Sequence, residues 1–230
     1  MDLLTEILAA RESRMFKIQN SLAAYPGSSV VSVKLNIPGS RKISPAYQAA
    51  FKIVEYELKD KLAGSSVGII AAERNSSAAG YDALYVLSSQ PLTAIEIKYL
   101  LIGLENKDPL GRLFDLDLWH NEVVSDQPDS PCNTGRRCTD NQEGTICGQG
   151  DASQNVPNSQ AAPEKLTPVQ IKRNDLGLAG RKCLICDNDA VICSRGKRHN
   201  LTKLLDKIDS LIQSDVRIKN NNIGEYDWNI

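Results

Sequence analysis

Residues 126–170 constrain the fold most, because they contain no aromatic side chain and are rich in Gly, Pro, Ser, Asn and Gln. No sustained apolar periodicity runs through this stretch. Such a segment cannot bury enough apolar surface to offset the conformational entropy that ordering would cost. We therefore predict a long disordered, low-complexity insertion at 126–170. Residues 1–125 and 171–230 must then form one domain around a single core.

Outside that insertion, the apolar residues follow the periods of helices and strands. Helical spacing predicts four helices, at 4–22, 47–62, 95–104 and 201–212. Four strands are predicted at 29–36, 67–72, 81–87 and 112–119, the first of them half-buried, with a polar turn at 74–80. The order of these elements predicts an α+β fold in which helices cover a mixed β-sheet.

Charge and cysteine content exclude several classes of protein. The net charge of −1 provides no general basic field for nucleic acid or an anionic membrane. No run approaches the roughly 18 apolar residues of a spanning helix, and the N-terminal segment lacks the apolar core of a secretory signal. Six cysteines are too few for a disulfide scaffold. We predict a cytoplasmic protein with no nucleic-acid partner and no membrane partner.

A D-x-D motif lies in the last of the predicted strands. Side chains alternate along a strand, so Asp115 and Asp117 share one face while Phe114, Leu116 and Leu118 point into the core. Two carboxylates on one face repel each other unless a cation lies between them. Magnesium suits them, because it prefers oxygen ligands and bridges carboxylates to phosphates. The motif predicts an enzyme that transfers a phosphate-linked group, and a solvated strand face is the alternative.

Several arginines are candidates for binding the phosphates of a substrate. Arg112 places a bidentate donor beside the two aspartates, and Gly111 permits close approach of another backbone. Arg11 and Arg14 lie three positions apart on the apolar stripe of the first helix. They predict a phosphate clamp, although arginines at such positions also extend to solvent or pair with nearby glutamates.

A cysteine cluster near the C-terminus has the residue types of a zinc site. Cys183, Cys186, Cys193 and His199 follow the spacing C-x2-C-x6-C-x5-H. A Cys3His set forms a closed structural zinc site, although the six-residue gap fits no standard zinc finger. Three reduced, buried thiols are an equally good interpretation.

The same segment is locally basic. It ends at a helix that Asn200 is expected to cap, and a helix N-terminus favours anions. The pattern therefore indicates either an anion site or a solvated loop. The basic residues are Arg181, Lys182, Arg195, Lys197 and Arg198.

Three blocks of sequence together resemble a known family. They are L-A-A-R-E-S-R at 8–14, D-P-L-G-R-L-F-D-L-D-L at 108–118, and I-K-R-N-D-L-G-L-A-G-R-K-C-L-I-C-D at 171–187, continued by V-I-C-S-R-G-K-R-H at 191–199. In this order they are similar to the citrate lyase holo-acyl-carrier-protein synthases. These enzymes are also called apo-citrate lyase phosphoribosyl-dephospho-CoA transferases. The resemblance covers most of the chain except the insertion.

The resemblance implies a reaction, a partner and a fold. A serine of the acyl carrier (gamma) subunit of citrate lyase would attack triphosphoribosyl-dephospho-CoA, and diphosphate would leave. Residues 1–125 and 171–230 would form a nucleotidyltransferase-like catalytic domain. Asp115 and Asp117 match the family's D-x-D and would hold magnesium. Further matching positions would bind or surround the phosphates: Arg11, Arg14, Arg112, Arg181, Lys197 and His199.

Two departures from the family pattern affect these expectations. Asp108 stands where a histidine is expected before P-L-G-R, so it would be a weaker base or the step would need none. The insertion interrupts an expected hairpin whose arms would be 119–124 and 171–173. Two other functions stay open: a related nucleotidyltransferase serving another carrier, such as that of malonate decarboxylase, and a non-catalytic zinc-binding interaction module.

Overall fold

The structure, a computed structural model, describes residues 2–124 and 165–220. The chain divides into two units, residues 1–121 with 168–230, and residues 122–167. Apart from the strand ends at 122–124 and 165–167, the described residues belong to the first unit. Most of the predicted insertion therefore lies outside the described residues.

The described residues form helices at the predicted positions and two further short helices. The α-helices are α1 (Leu3–Ala24), α2 (Pro45–Gly64), α3 (Ala94–Lys107), α4 (Ala190–Arg195), α5 (Leu201–Ser214) and α6 (Val216–Lys219). Local chemistry sets their starts: Ser44 accepts from the Tyr47 amide, and Thr93 forms a capping box with Glu96. Within the described part of the chain, no helix is both long and apolar enough to cross a membrane.

The strands form one sheet with the order β2-β3-β1-β4-β5. Their bounds are β1 (Ser29–Leu35), β2 (Ile69–Ser77), β3 (Gly80–Leu87), β4 (Phe114–Val124) and β5 (Lys165–Ile171). The predicted α+β class is confirmed, but the prediction of a mixed sheet is wrong. β1 pairs antiparallel with β3 and β4, and β2 pairs antiparallel with β3. α2 connects β1 to β2, and α3 connects β3 to β4. The two strands of each such pair run parallel, but another strand lies between them and is antiparallel to both.

Helices cover both faces of this sheet. On one face, Ile18 and Leu22 of α1 pack against Val30, Leu84 and Val86. On the other face, α2, α3 and α5 form the main core with Val31, Val33, Tyr85 and further strand residues. The prediction that 29–36 is a half-buried strand is therefore wrong. β1 lies at the centre of the sheet, and its first five residues are buried whichever way they point.

Several strand boundaries differ from the predicted ones. β2 continues to Ser77, so most of the polar segment at 74–80 is paired strand rather than turn. β4 begins at Phe114, because residues 108–113 form turns. In these turns the Gly111 amide donates to the Asp108 carbonyl at 2.9 Å, and the Leu113 amide donates to the Leu110 carbonyl at 2.7 Å. β5 starts at Lys165, inside the stretch assigned to the insertion, so the boundary predicted at residue 171 is too late.

Gly111 allows the chain to pass close to the end of α3. A Cβ atom at this position would lie 2.4 Å from the carbonyl oxygen of Glu105 and 2.8 Å from its carbon. Since both are backbone atoms, a rotamer change cannot relieve the contact. The close approach that the sequence predicted at Gly111 is thus made to α3.

Replacing Gly111 with alanine should therefore destabilise the fold by about 1–3 kcal/mol, because the backbone must shift. Gly103 is the matched control: it lies inside α3, and a Cβ there meets nothing within 4 Å. Gly103→Ala should instead stabilise by about 0.5–1 kcal/mol through helix propensity. Urea unfolding of both variants measures these changes. Equal effects of the two substitutions would contradict the assigned contact.

Candidate active site

The two aspartates of the D-x-D motif lie on the sheet face that α1 partly covers. Phe114, Leu116 and Leu118 are buried on the opposite side, as the strand period predicted. The side chains of Asp115 and Asp117 are 37% and 23% exposed, so solvent and small ligands reach them. The motif is thus an accessible pair of carboxylates on a strand whose other face is fixed in the core.

Lys34 of β1 lies between these carboxylates. Its Nζ is 3.0 Å from Asp115 Oδ2 and 2.7 Å from Asp117 Oδ2. Asp82 of β3, Lys34 and Asp115 are paired in register across three neighbouring strands. On the other side, Gln170 of β5 donates to Asp117 Oδ1 at 2.7 Å. Sequence reasoning required a cation between the aspartates but missed this lysine, whose only sequence signal is its place on the polar face of β1.

The charges in this row alter one another's pKa values. Burial would lower the pKa of Lys34, but Asp115 and Asp117 more than offset this and hold it above its ordinary value. Burial would raise the pKa of Asp115, but Lys34, with smaller effects from Arg181 and Lys98, holds it below its ordinary value. Both groups are therefore charged at neutral pH.

Arg14 extends the row from α1. Its Nε is 3.6 Å from Asp82 Oδ2, with side-chain exposures of 12% and 8%. The Arg14 Nε and the Ser32 Oγ are buried and lack a hydrogen-bond partner among the described residues. Ser32 is the register partner of Asp117 on β1. We call Arg14, Asp82, Lys34, Asp115 and Asp117 the sheet-face cluster; it has one more carboxylate than cations.

Arg14 thus pairs with an aspartate of the sheet rather than with a glutamate of its own helix. Arg11, one turn earlier on α1, is exposed. Its charge lowers the pKa of Lys42, which burial lowers by a larger amount. Of the two predicted clamp residues, Arg14 therefore belongs to the sheet-face cluster, whereas the charge of Arg11 acts on Lys42.

The backbone of β4 beside the motif is held by side chains of other elements. Lys98 Nζ donates to the Leu116 carbonyl at 2.9 Å, and the Leu116 amide donates to Glu105 Oε1 at 3.1 Å. Arg181 donates to the Phe114 carbonyl at 2.5 Å and to Glu105. These contacts fix the strand that carries the aspartates, and sequence reasoning missed Lys98 and Glu105.

A concave region elsewhere, which we call the C-terminal pocket, has a volume of about 500 Å³. Among its lining residues are four of the predicted phosphate-binding residues, Arg112, Arg181, Lys197 and His199. Arg112 also donates to the Lys182 carbonyl. Asp115 and Asp117 are not among the described residues that line this pocket. Arg181 connects the two regions, because it lines the pocket and its charge acts on Asp115.

Asp108, which replaces the expected histidine, lies in a buried ion pair. Arg217 donates to its two carboxylate oxygens at 2.7 and 2.9 Å, and the Leu110 amide donates to Asp108 Oδ1 at 2.7 Å. The Asp108 side chain is 5% exposed. A carboxylate engaged in this way is not poised to accept a proton from a substrate, so the geometry argues against a role as base.

The family model of the apo-citrate lyase phosphoribosyl-dephospho-CoA transferases matches residues 3–147 and 164–215. The chain belongs to this family. It is therefore a transferase, and the family predicted from the three sequence blocks is confirmed. The matched ranges include the D-x-D strand, the arginines of α1 and the cysteine cluster.

Curated relatives agree over nearly the whole chain. A probable apo-citrate lyase phosphoribosyl-dephospho-CoA transferase from Streptococcus pyogenes serotype M18 is 29% identical over 211 residues, 92% of this chain and 85% of the relative. The apo-citrate lyase phosphoribosyl-dephospho-CoA transferase of Escherichia coli O7:K1 is 25% identical over 207 residues, 90% and 86%. Protein CitXG of Leuconostoc mesenteroides is 26% identical over 216 residues, 94% of this chain but 36% of that protein.

Replacing Lys34 with methionine should reverse the pH dependence that Asp115 contributes. In the wild type the pKa of Asp115 is depressed, so its charge stabilises the fold above roughly pH 3.9, and this is lost as the pH falls through the folded pKa. Without Lys34, burial dominates and the pKa of Asp115 should rise above its ordinary value. Stability should then increase as the pH falls through that raised pKa toward the ordinary value. Carboxyl-carbon NMR titration and urea unfolding measure both effects.

Lys17→Met is the control for this experiment. It removes the exposed ion pair between Lys17 Nζ and Glu73 Oε1, 2.5 Å apart, and should leave the pKa of Asp115 unchanged. A pKa of Asp115 that stays depressed in Lys34→Met would show that Arg181 and Lys98, rather than Lys34, determine it.

Proposed function

We propose that the transferase moves the phosphoribosyl-dephospho-CoA group from its triphosphate precursor to a serine of the acyl carrier (gamma) subunit of citrate lyase, releasing diphosphate. The observation that carries this proposal is the sheet-face cluster: two accessible carboxylates on a fixed strand, with Lys34 between them and Arg14 beside them. Phosphoryl-type transfer depends mainly on positioning and charge stabilisation, which such a cluster supplies. The family and its relatives' names support the substrate and the acceptor.

Magnesium fits the donor set of this cluster. Carboxylate oxygens are its preferred protein ligands, and one or two of them together with substrate phosphates are typical. Asp115 and Asp117 would hold the ion, which when bound neutralises charge on the reacting phosphates. Lys34, which lies between the two carboxylates, would supply a positive charge beside the ion and could pair with a phosphate oxygen. Arg14, which is ion-paired with Asp82, would add further positive charge beside this site.

The C-terminal pocket suits the remainder of the precursor. Its lining combines cationic groups, such as Arg112 and Lys197, with the apolar side chains of Leu184, Leu204 and Ile208. A cavity of about 500 Å³ is within the range of small-ligand sites. A precursor that joins a triphosphate to a larger organic part would use both regions, and Arg181 lies between them.

The transfer reaction is tested by the mass of the carrier. The protein is mixed with precursor, magnesium and the purified apo-carrier, and mass spectrometry should show the carrier gaining the prosthetic group. Asp115→Asn and Asp117→Asn should each reduce the rate at least 100-fold, because each removes a charged ligand of the metal. Asp60→Asn, on the exposed surface of α2, is the matched control and should transfer at the wild-type rate.

Two outcomes would contradict this assignment. Transfer that survives the loss of both Asp115 and Asp117 would remove the sheet-face cluster from catalysis. Mass gain on the carrier of malonate decarboxylase but none on that of citrate lyase would change the acceptor while leaving the cluster in place.

Ser32→Ala separates a role in binding from a role in folding. The Ser32 Oγ is buried and lacks a hydrogen-bond partner among the described residues, so its loss should leave the free energy of unfolding unchanged or slightly higher. We expect transfer to slow by about 10-fold, the worth of one hydrogen bond, because this buried hydroxyl can gain a partner only when neighbouring groups such as Asp117 move on binding of the precursor. Urea unfolding and the carrier mass assay measure the two effects.

Ser28→Ala is the matched control, with the opposite pattern. Ser28 Oγ donates to the Tyr25 carbonyl at 2.7 Å, so its loss should cost about 1 kcal/mol of stability and leave transfer unchanged. A Ser32→Ala variant that is markedly less stable than the wild type, with normal transfer, would show that Ser32 has a structural role.

A further inference from the structure

The side chains of Cys183, Cys186, Cys193 and His199 converge at the mouth of the C-terminal pocket. One ligand atom from each lies within 4.8 Å of every other. The Cys186 Sγ is 3.5 Å from the Cys193 Sγ and 3.3 Å from the His199 Nε2. Tetrahedral zinc with Zn–S bonds of about 2.3 Å separates its ligand atoms by about 3.5–3.8 Å. The four atoms are therefore already close to the spacing that one zinc ion requires.

One backbone amide and one side-chain amide donate hydrogen bonds to the sulfur atoms of the first two cysteines. The Ile185 amide donates to Cys183 Sγ at 3.5 Å, and the Asn188 side-chain amide donates to Cys186 Sγ at 3.4 Å. The loop is closed by the Cys183 amide, which donates to the Asn188 carbonyl at 2.7 Å. Hydrogen bonds of this kind stabilise thiolates and orient metal ligands. They have no use around thiols that serve only as apolar filling.

Apolar burial does not explain why these residues converge. Cys183 and Cys186 are half-exposed, and Cys193, although buried, is not among the members of the two apolar clusters of the described residues. Between residue 177 and α4, the regular structure of the chain is limited to one isolated β-bridge, which pairs Lys182 with Asp189. A segment with so little regular structure needs a cross-link to hold a fixed shape.

We propose that Cys183, Cys186, Cys193 and His199 bind one structural zinc ion in a closed Cys3His site. Each cysteine gives up its thiol proton to solvent when the metal binds, so the complex of Zn²⁺ with three thiolates and neutral imidazole has a charge of −1. All four positions are filled by protein, which leaves no site for a substrate or a reacting water. The ion is therefore structural and takes no part in the transfer step.

This site explains the position of the basic residues around it. Zinc joins the loop that begins after Arg181 and Lys182 to α4, and then to His199 at the start of α5. Arg112 contacts the Lys182 carbonyl and interacts electrostatically with Cys183. Part of the local positive charge therefore balances the thiolates. The ion also fixes the wall of the C-terminal pocket that contains Arg181 and Lys197.

Metal analysis of the full-length protein tests the site. Protein reconstituted with zinc under reducing conditions and passed through a desalting column should retain one zinc per chain. Cys186→Ser and Cys193→Ser should lose it, whereas His199→Cys should retain it, because four cysteines also bind zinc tetrahedrally. The three other cysteines, Cys132, Cys138 and Cys147, lie outside the described residues. Replacing all three with serine is the matched control and should leave the zinc in place.

A cobalt spectrum provides a readout that does not depend on the folding of any variant. Wild-type protein loaded with Co²⁺ should show the intense visible bands of tetrahedral cobalt and a thiolate-to-cobalt charge-transfer band. Removal of zinc with a chelator should lower the thermal midpoint and expose the segment around residues 177–199 to protease.

Any of several results would overturn the proposal: wild-type protein that retains no zinc, cobalt that binds with an octahedral spectrum, or zinc that persists in Cys186→Ser and in Cys193→Ser. A Cys186–Cys193 disulfide in reduced, zinc-treated protein would do the same. These measurements do not use the transfer reaction, so they stand or fall independently of the proposed function.

Discussion

The interactions of the buried Glu105 carboxylate hold α3, β4 and the segment after β5 of this transferase together. Glu105 lies in α3, its side chain is 2% exposed, and it accepts the Leu116 amide of β4. It also receives Arg173 and Arg181 from the segment that follows β5. A buried carboxylate is costly unless it is paired and hydrogen-bonded. Here its partners come from β4 and from the segment after β5, so satisfying one charge brings both of them to α3.

This arrangement has a direct effect on the D-x-D motif. Leu116, the residue between the two aspartates, has its amide bound by Glu105 and its carbonyl bound by Lys98. Its side chain is buried in the main core. The middle of the motif is thus fixed by both backbone polar groups of Leu116 and by its buried side chain. Catalytic groups on such a strand keep their geometry without relying on the substrate to order them.

Much of this fold could be predicted from the sequence, because the controlling interactions are local. The capping chemistry of Ser44 and Thr93 places the starts of α2 and α3. The alternation of aspartate and apolar residues sets the orientation of the motif. The second arm of the expected hairpin was placed too late, at 171–173 rather than 165–171, because the sequence of β5, K-L-T-P-V-Q-I, contains a proline and mixed polarity. An edge strand tolerates both, and β5 lies at the edge of the sheet.

The candidate site was less predictable, because its pairs join distant parts of the chain. Lys34 and Asp117 are separated by 83 positions, and Arg181 and Glu105 by 76. Such pairs depend on strand register and helix placement, which no short pattern encodes. The sequence therefore indicated that a cation must stand between the aspartates and suggested a metal. It did not show that a lysine from the neighbouring strand already lies there.

The presence of Lys34 strengthens the argument for a metal in the proposed reaction. In the sheet-face cluster, Lys34 and Arg14 face three carboxylates, so the cluster by itself has no excess of positive charge to bind a triphosphate. Lys34 holds Asp115 ionised, so protonation at neutral pH does not remove its negative charge. The proposed divalent cation at Asp115 and Asp117 would supply that positive charge. Lys34 thus preserves the charged ligands that such a metal would require, and the metal would make the site attractive to phosphate.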